Sequence, residues 1–327
     1  MIRAGLQIPN FTYPGVAPDQ LFEKVADLAT TAEASGFDTV LVMDHFYQLP
    51  LLGQPDDAMF ESYTLLAALA ARTERVQLGT LVTGVTYRNP AILAKIVTSL
   101  DVVSKGRAFL GIGAAWFDVE HHALGVDFPP LSERYERLEE ALLICRAMFR
   151  GEQPTIEGKH YQVRNAFNVP APIRDGGPPI LIGGSGEKKT MPLMARYADA
   201  ANVIAGMDEM AGKQEALRAA CVAEGRDIDT LNTTPLVFLV ADETTEAAQA
   251  KRVAGLAARG MVWDEMDDAA RAMLDSRMIV GDRDHATERL KAIIDAGYDG
   301  LVVNLPLDGA DTTAVTRAGE ILTDALA

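Results

Sequence analysis

Two ionisable residues, Asp44 and His45, end a short apolar run (Val40, Leu41, Val42, Met43) within the stretch G-F-D-T-V-L-V-M-D-H-F, Gly36 to Phe46. An acid and an imidazole at the end of a buried parallel strand sit on rigid backbone facing a loop-lined crevice, which suits general acid–base work. A histidine gives or takes a proton near neutrality because its unperturbed pKa is about 6.5. The plainer reading makes Asp44 a turn cap and His45 a satisfied, half-buried side chain. A second chemical feature is the G-G-S-G turn, Gly183 to Gly186, which runs into Glu187, Lys188, Lys189 and Thr190. A glycine-rich turn that opens a helix points backbone N–H groups at an anion, and the lysines add charge, so it reads as a phosphate seat. Taken alone it could equally be an ordinary strand-to-helix turn.

These residues need a scaffold that brings distant strand ends together. Apolar runs recur as short strands: Ile2 to Ile8, the stretch before Asp44, R-V-Q-L-G-T-L-V-T-G-V, Arg107 to Gly113, I-L-I-G-G, Ala201 to Ala205, Thr234 to Ala241, and Gly300 to Leu305. Helical patterns separate them, for example Leu21, Val25, Leu28 and Ala32 at three- and four-residue steps before a stop at Gly36. Asn89 and Pro90 supply a cap and a first-turn proline for another helix. Eight strands alternating with helices predict an α/β fold with parallel pairing, a (β/α)8 TIM barrel over residues 1–327 as one domain. The proline- and glycine-rich segment at about 151–179 reads as an irregular insertion.

The barrel reading collects the strand ends into one site. Strand three contributes Thr80, Leu81, Val82 and Gly84; strand four contributes Gly113, Ala114, Ala115 and Trp116. Glycines at 79, 84, 111 and 113 would let a flat, extended ligand approach the backbone, which points to a large cofactor. Leu305 and Pro306 stand where a barrel lyase would place a Schiff-base lysine, and Asp44 is the single acid firmly at a strand end, whereas glycosidases need two. Hydride or electron transfer delegated to a cofactor asks less of the protein.

Composition narrows the field further. The 327 residues carry a net charge of −16, which repels a phosphate backbone and argues against nucleic acid. With 48% hydrophobic and 23% charged residues, the chain has the make-up of a globular protein. No membrane-spanning run or signal-peptide pattern is seen, so a cytoplasmic location is expected. Cys145 and Cys221 lack partner spacing and read as core residues, and adjacent His121 and His122 point apart on a helix, so no metal site is expected.

With those residues in view, the chain resembles the luciferase-like oxidoreductases, the bacterial luciferase barrel family, and within it the branch that uses the deazaflavin coenzyme F420. The resemblance rests on M-D-H-F, L-G-T-L-V-T-G-V-T-Y-R-N-P, L-G-I-G-A-A-W, S-E-R-Y-E-R-L-E-E-A-L and P-P-I-L-I-G-G-S-G in this order and spacing. It implies that Asp44 and His45 face the deazaflavin, with His45 moving the proton and Asp44 orienting it or bonding the cofactor. It also implies that Thr80, Leu81 and Val82 support the central ring, with a cis bond at Leu81–Val82. Gly113 and Ala114 border the cofactor, Gly183, Gly184, Ser185 and Gly186 hold its phosphate end, and Tyr135 either joins them or packs on the barrel. Where sugar-phosphate oxidisers of the branch carry a glutamate, this chain reads Ala114, Ala115 and Trp116, which argues against a sugar phosphate. Trp116, Phe11, Tyr13, Phe46, Tyr47 and Phe117 are expected to wall an apolar substrate pocket. The family habit implies a homodimer acting on a small molecule. Two other functions fit the sequence: a monooxygenase using reduced flavin mononucleotide (FMN) from a separate reductase, and a non-catalytic cofactor-binding protein.

Overall fold

The apolar runs become parallel strands in the computed structural model, which describes residues 1–327. In chain order the barrel strands are β1 Ala4–Ile8, β2 Thr39–Val42, β3 Gln77–Thr80, β4 Thr83–Gly84 and β5 Leu110–Gly113. After a small hairpin, β6 Ile156–Glu157 with β7 Gln162–Val163, they continue as β8 Ile180–Gly183, β9 Ala200–Val203, β10 Asn232–Ala241 and, beyond β11 Met278–Gly281, β12 Leu301–Asn304. The sheet runs β3-β2-β1-β12-β10-β9-β8-β5-β4. β3 and β4 are halves of one strand interrupted at Leu81–Val82, whose peptide bond is cis. β4 pairs with β5, and a bridge between Leu78 and Ala108 brings the ends of the sheet together. Eight staves therefore form the expected (β/α)8 barrel.

Helices cover its outside: α1 Leu21–Ala34, α2 Ser62–Ala70, α3 Pro90–Val103, α4 Asp118–Leu124, α5 Leu131–Phe149 and α6 Thr190–Tyr197. The set closes with α7 Met210–Ala223, α8 Thr245–Ala257, α9 Asp268–Arg277, α10 Arg283–Asp295 and α11 Thr312–Ala325. None is long and apolar enough to cross a membrane. Asn89 caps α3 as expected, its side-chain oxygen accepting from the N–H of Ala91 at 3.0 Å.

Alternation along the strands sorts the barrel interior into layers, because every second side chain of a strand points the same way. Leu41, Phe109, Leu181, Ala200, Leu236 and Val302 fill the lower lumen. Two residues further along five of those strands, Met43, Gly183, Asn202, Phe238 and Asn304 line a cleft instead. The lower layer is a packed plug and the upper one is the floor of a site. Gly79 makes room for the plug, since a Cβ there would lie 2.6 Å from the Phe109 ring.

The structure also adds elements that the strand count omitted. β9 ends opposite Pro235, and β11 pairs with β10 from Phe238 to Ala241, taking the edge that β9 vacates. Helix α9 and β11 thus bring residues 268–281 over the barrel rim. The insertion is irregular apart from its hairpin. Glu140 on α5 ties that hairpin down by accepting the backbone N–H groups of Lys159 and Tyr161 at 2.8 and 2.9 Å.

The tightest approach is at Gly111, where a Cβ would fall 1.8 Å from the backbone oxygen of Thr80. Backbone cannot swing aside as a side chain can. Gly111→Ala is expected to lower the unfolding free energy by about 2–3 kcal/mol, measured by urea denaturation; an unchanged midpoint would contradict this packing.

Candidate active site

Asp44 is 2% exposed at the end of β2, and its carboxylate is fully engaged. Arg88 grips it with two bonds, Nη1 to Oδ2 at 2.6 Å and Nη2 to Oδ1 at 3.1 Å, and Ser62 Oγ donates to Oδ1 at 2.7 Å. Arg88 also reaches Glu61 at 2.5 Å and lies over the Tyr63 ring at 4.8 Å. Burial pulls the guanidinium down, but Asp44 beside it more than compensates and holds it above its ordinary range. This two-pronged pair joins β2 to α2 and to the entrance of α3. The expectation that Asp44 orients His45 is therefore corrected: its oxygens are spent on Arg88 and Ser62.

The carboxylate that holds His45 belongs to Glu120 on α4, which is 0% exposed. Its Oε1 meets His45 Nδ1 at 2.7 Å and also accepts from the Tyr87 hydroxyl. Its Oε2 accepts from the backbone N–H groups of Phe46 and Tyr47 at 2.7 and 3.2 Å. Burial pushes the Glu120 carboxyl up, yet the His45, Tyr87 and Phe46 donors outweigh it and hold the group below its ordinary 4.5. An ionised carboxylate can only accept, so Nδ1 of His45 carries the hydrogen and the bare nitrogen of the neutral ring is Nε2. Trp116 and Phe117 flank the imidazole edge-on, each with its centroid 5.8 Å away.

Around His45 the upper barrel opens into a cleft of about 780 Å³, a volume typical of small-molecule and cofactor sites. Of the residues singled out from sequence, Asp44, His45, Leu81, Val82, Gly113, Ala114, Tyr135 and Gly183 to Gly186 all border it. Thr80 does not; its hydroxyl donates to the Gly111 carbonyl at 2.9 Å within the barrel wall. Among the aromatics expected in a substrate pocket, Trp116 alone lines the cleft and is 62% exposed. Phe11 and Tyr13 are core residues, Phe11 packing on Phe60 at 5.3 Å and Tyr13 donating to the Asn10 carbonyl at 2.9 Å. Phe46 packs on Tyr87 at 5.2 Å, and Tyr47 and Phe117 also lie outside the lining. The apolar wall comes instead from Leu49 to Leu52, Leu131, Ile204 and Met273.

The glycine turn after β8 keeps its side of the cleft free of bulk. A Cβ at Gly183 would lie 2.8 Å from Val82 Cγ1, and one at Gly186 would lie 3.2 Å from the Tyr135 hydroxyl. Tyr135 bonds Thr190 Oγ1 at 2.8 Å, where α6 begins, so it belongs to the same turn. Lys188 and Lys189 are exposed and off the lining, contrary to the expected basic flank; the cation at the cleft mouth is Arg277, which ends α9.

Glu120, Tyr87, Arg88 and Arg277 escaped the sequence reading. Tyr87 and Arg88 lie in the T-Y-R-N-P motif, which was a usable signal. Glu120 lies 75 residues from His45 and looks no different from Asp118 two residues earlier.

A profile of the luciferase-like monooxygenase family matches residues 3–300. An F420-dependent glucose-6-phosphate dehydrogenase of Nocardia farcinica is 32% identical over 308 residues, covering 86% of this chain and 88% of the relative. In fold, the chain is similar to the F420-dependent tetrahydromethanopterin reductase of Methanopyrus kandleri, with a TM-score of 0.78 at 19% identity over 98% of this chain and 97% of that one. A monooxygenase from Streptomyces bottropensis is also similar in fold, with a TM-score of 0.82 at 21% identity over 99% of this chain and 98% of that one.

Two measurements test these charge arrangements. Removing one partner of a buried pair strands the other, so Arg88→Met should cost about 3–5 kcal/mol, while the double variant with Asp44→Asn should lose less; a single-variant loss under about 1 kcal/mol would contradict it. Because the folded-state pKa of Glu120 is depressed, its stabilisation is full above its unfolded value and is lost as pH falls through the folded one. Glu120→Gln should thus be less stable near neutrality and show a shallower loss of stability on acidification, read from urea midpoints across the acid range. Parallel curves for the two proteins would refute the assignment.

Proposed function

The chain belongs to the luciferase-like monooxygenase family, and on that premise we propose that it is a coenzyme F420-dependent oxidoreductase that oxidises or reduces a small organic molecule in the cleft beside His45. The support from comparison is the F420-dependent dehydrogenase aligned along most of both chains. The support from geometry is the single observation that carries the reading, a histidine whose Nδ1 is held by a buried carboxylate while its ring borders a cofactor-sized cleft.

The residues present fit a flat ring with an anionic tail. Val82 projects between Gly113 and Gly183, where a Cβ on either glycine would crowd it at 3.0 and 2.8 Å, so the ring's support would be the Leu81–Val82 segment. Gly183 to Gly186, with Tyr135 and Thr190, would hold the phosphate end, and Ala114 would border the ring. When bound, coenzyme F420 supplies a two-electron hydride acceptor or donor. Asp44 serves this site by fixing β2 through Arg88, and Glu120 by fixing the tautomer of His45.

His45 Nε2 then receives the proton that leaves a substrate heteroatom as the hydride leaves the adjacent carbon. An alcohol that becomes a carbonyl compound balances in this way: its C–H supplies the hydride and its O–H the proton. The reverse reaction returns both. Leu49 to Leu52, Trp116 and Met273 favour a substrate with an apolar body. Ala114, Ala115 and Trp116, at the positions where resemblance calls for a glutamate, argue against the glucose 6-phosphate named for the relative.

The competing cofactor is FMN, and direct titration separates the two. F420 is expected to bind and FMN to bind far more weakly; tight FMN binding without F420 affinity would overturn the cofactor assignment. With a panel of small alcohols, His45→Ala should lower turnover by about 10²–10⁴ while F420 binding stays within about threefold, read from deazaflavin absorbance and fluorescence. Unchanged turnover would remove His45 from the chemistry.

A further inference from the structure

Beneath the cleft lies a layer of buried polar side chains that the hydride chemistry does not use. Gln7, Asn202 and Asn304 border the cleft and are 2%, 0% and 1% exposed. Two of their oxygens, Asn202 Oδ1 and Asn304 Oδ1, have no hydrogen-bond partner within the protein. A buried amide oxygen left unpaired costs stability, so each needs an explanation.

Hydrogen-bond polarity supplies one. The carbonyl of Leu81 can only accept, so the contact with Gln7 at 2.9 Å must use the Gln7 NH₂ group. That orientation turns the Gln7 oxygen toward Asn304, whose NH₂ donates to it at 2.7 Å. Asn304, which borders the cleft, is then left with a buried, unpaired carbonyl oxygen. A second relay runs the same way. The Ala201 carbonyl receives the Thr234 hydroxyl at 3.4 Å, and Thr234 Oγ1 receives the Asn202 NH₂ at 3.0 Å. It too ends on a free amide carbonyl. Both relays start at backbone acceptors whose polarity cannot invert, and each leaves an unpaired amide oxygen on a buried residue that borders the cleft.

We propose that the amide carbonyls of Asn202 and Asn304 are recognition groups for the imide N–H on the pyrimidine edge of the bound deazaflavin. A deazaflavin carries a uracil-like ring in which an imide N–H lies between two carbonyls, so that edge offers the donor these oxygens lack. The Leu81 carbonyl that starts one relay belongs to the segment assigned to ring support, so ring support and edge recognition are linked through Gln7. This inference rests on the F420 reading above and adds to it which residues read the ring.

The test is a set of fluorescence titrations with F420 and with an F420 analogue methylated on the imide nitrogen. Asn304→Leu and Asn202→Leu should each bind F420 about tenfold or more weakly than wild type. Wild type should reject the methylated analogue by a similar factor, and the double variant should hardly distinguish the two molecules. If wild type binds F420 but also binds the analogue within about threefold, or if both single variants keep wild-type affinity, the inference fails while the cofactor assignment stands. If wild type does not bind F420, both fail together. Should the variants not fold, the analogue titration on wild type decides alone.

Discussion

The carboxylate of Glu120 on α4 accepts four hydrogen bonds from two other pieces of chain, and the upper face of the barrel depends on that convergence. His45 and the Phe46–Tyr47 backbone come from the end of β2, and Tyr87 from the segment after β4, while the acid itself comes from α4. A carboxylate in a site shut off from water must be compensated group by group. Burial and the neighbouring acid push the Tyr87 phenol up, so it stays a neutral donor. The result is a side chain that fixes a loop, a helix and an imidazole at once.

A division of labour between the two acids follows. Asp44, adjacent to His45 in sequence, is the structural one: it is closed off by Arg88 and Ser62 and anchors the strand end. Glu120, remote in sequence, sets the proton on the histidine. Asp44 and His45 lie just beyond the end of β2, and the Asp44 oxygens are already taken by Arg88 and Ser62, so the two side chains do not bond each other. A carboxylate arriving from a helix across the rim meets the imidazole instead.

Parity and punctuation made the scaffold legible in sequence. Eight apolar runs, the Asn89–Pro90 helix entrance and the Gly36 stop were enough to call for a barrel; of the strand-end glycines expected to admit a ligand, Gly84 and Gly113 border the cleft, whereas Gly79 and Gly111 make room for Phe109 and the Thr80 backbone instead. The cis bond at Leu81–Val82 was carried by resemblance and is present. What stayed hidden were pairings that no periodicity encodes: Glu120 to His45 across 75 residues and Arg88 to Asp44 across 44. The loop aromatics misled for a related reason. Phe11 and Tyr13 precede α1 in a loop, yet they are packed into the core beside Asn10 and Phe60, since a loop ring is buried wherever the barrel rim leaves apolar surface to cover. Helix α9 and β11 were passed over because the edge of β10 that they complete exists only after β9 has ended.

Glu120 holds the hydrogen on Nδ1 of His45, which leaves Nε2 as the bare nitrogen of the neutral ring and, in the proposed reaction, the base. The most direct measurement is ¹⁵N NMR of histidine-labelled protein, with the His45 signals assigned by their loss in His45→Asn. For the neutral ring, a protonated Nδ1 and a bare Nε2 are expected, with that preference lost in Glu120→Gln. A neutral ring protonated on Nε2 in the wild-type protein would contradict it.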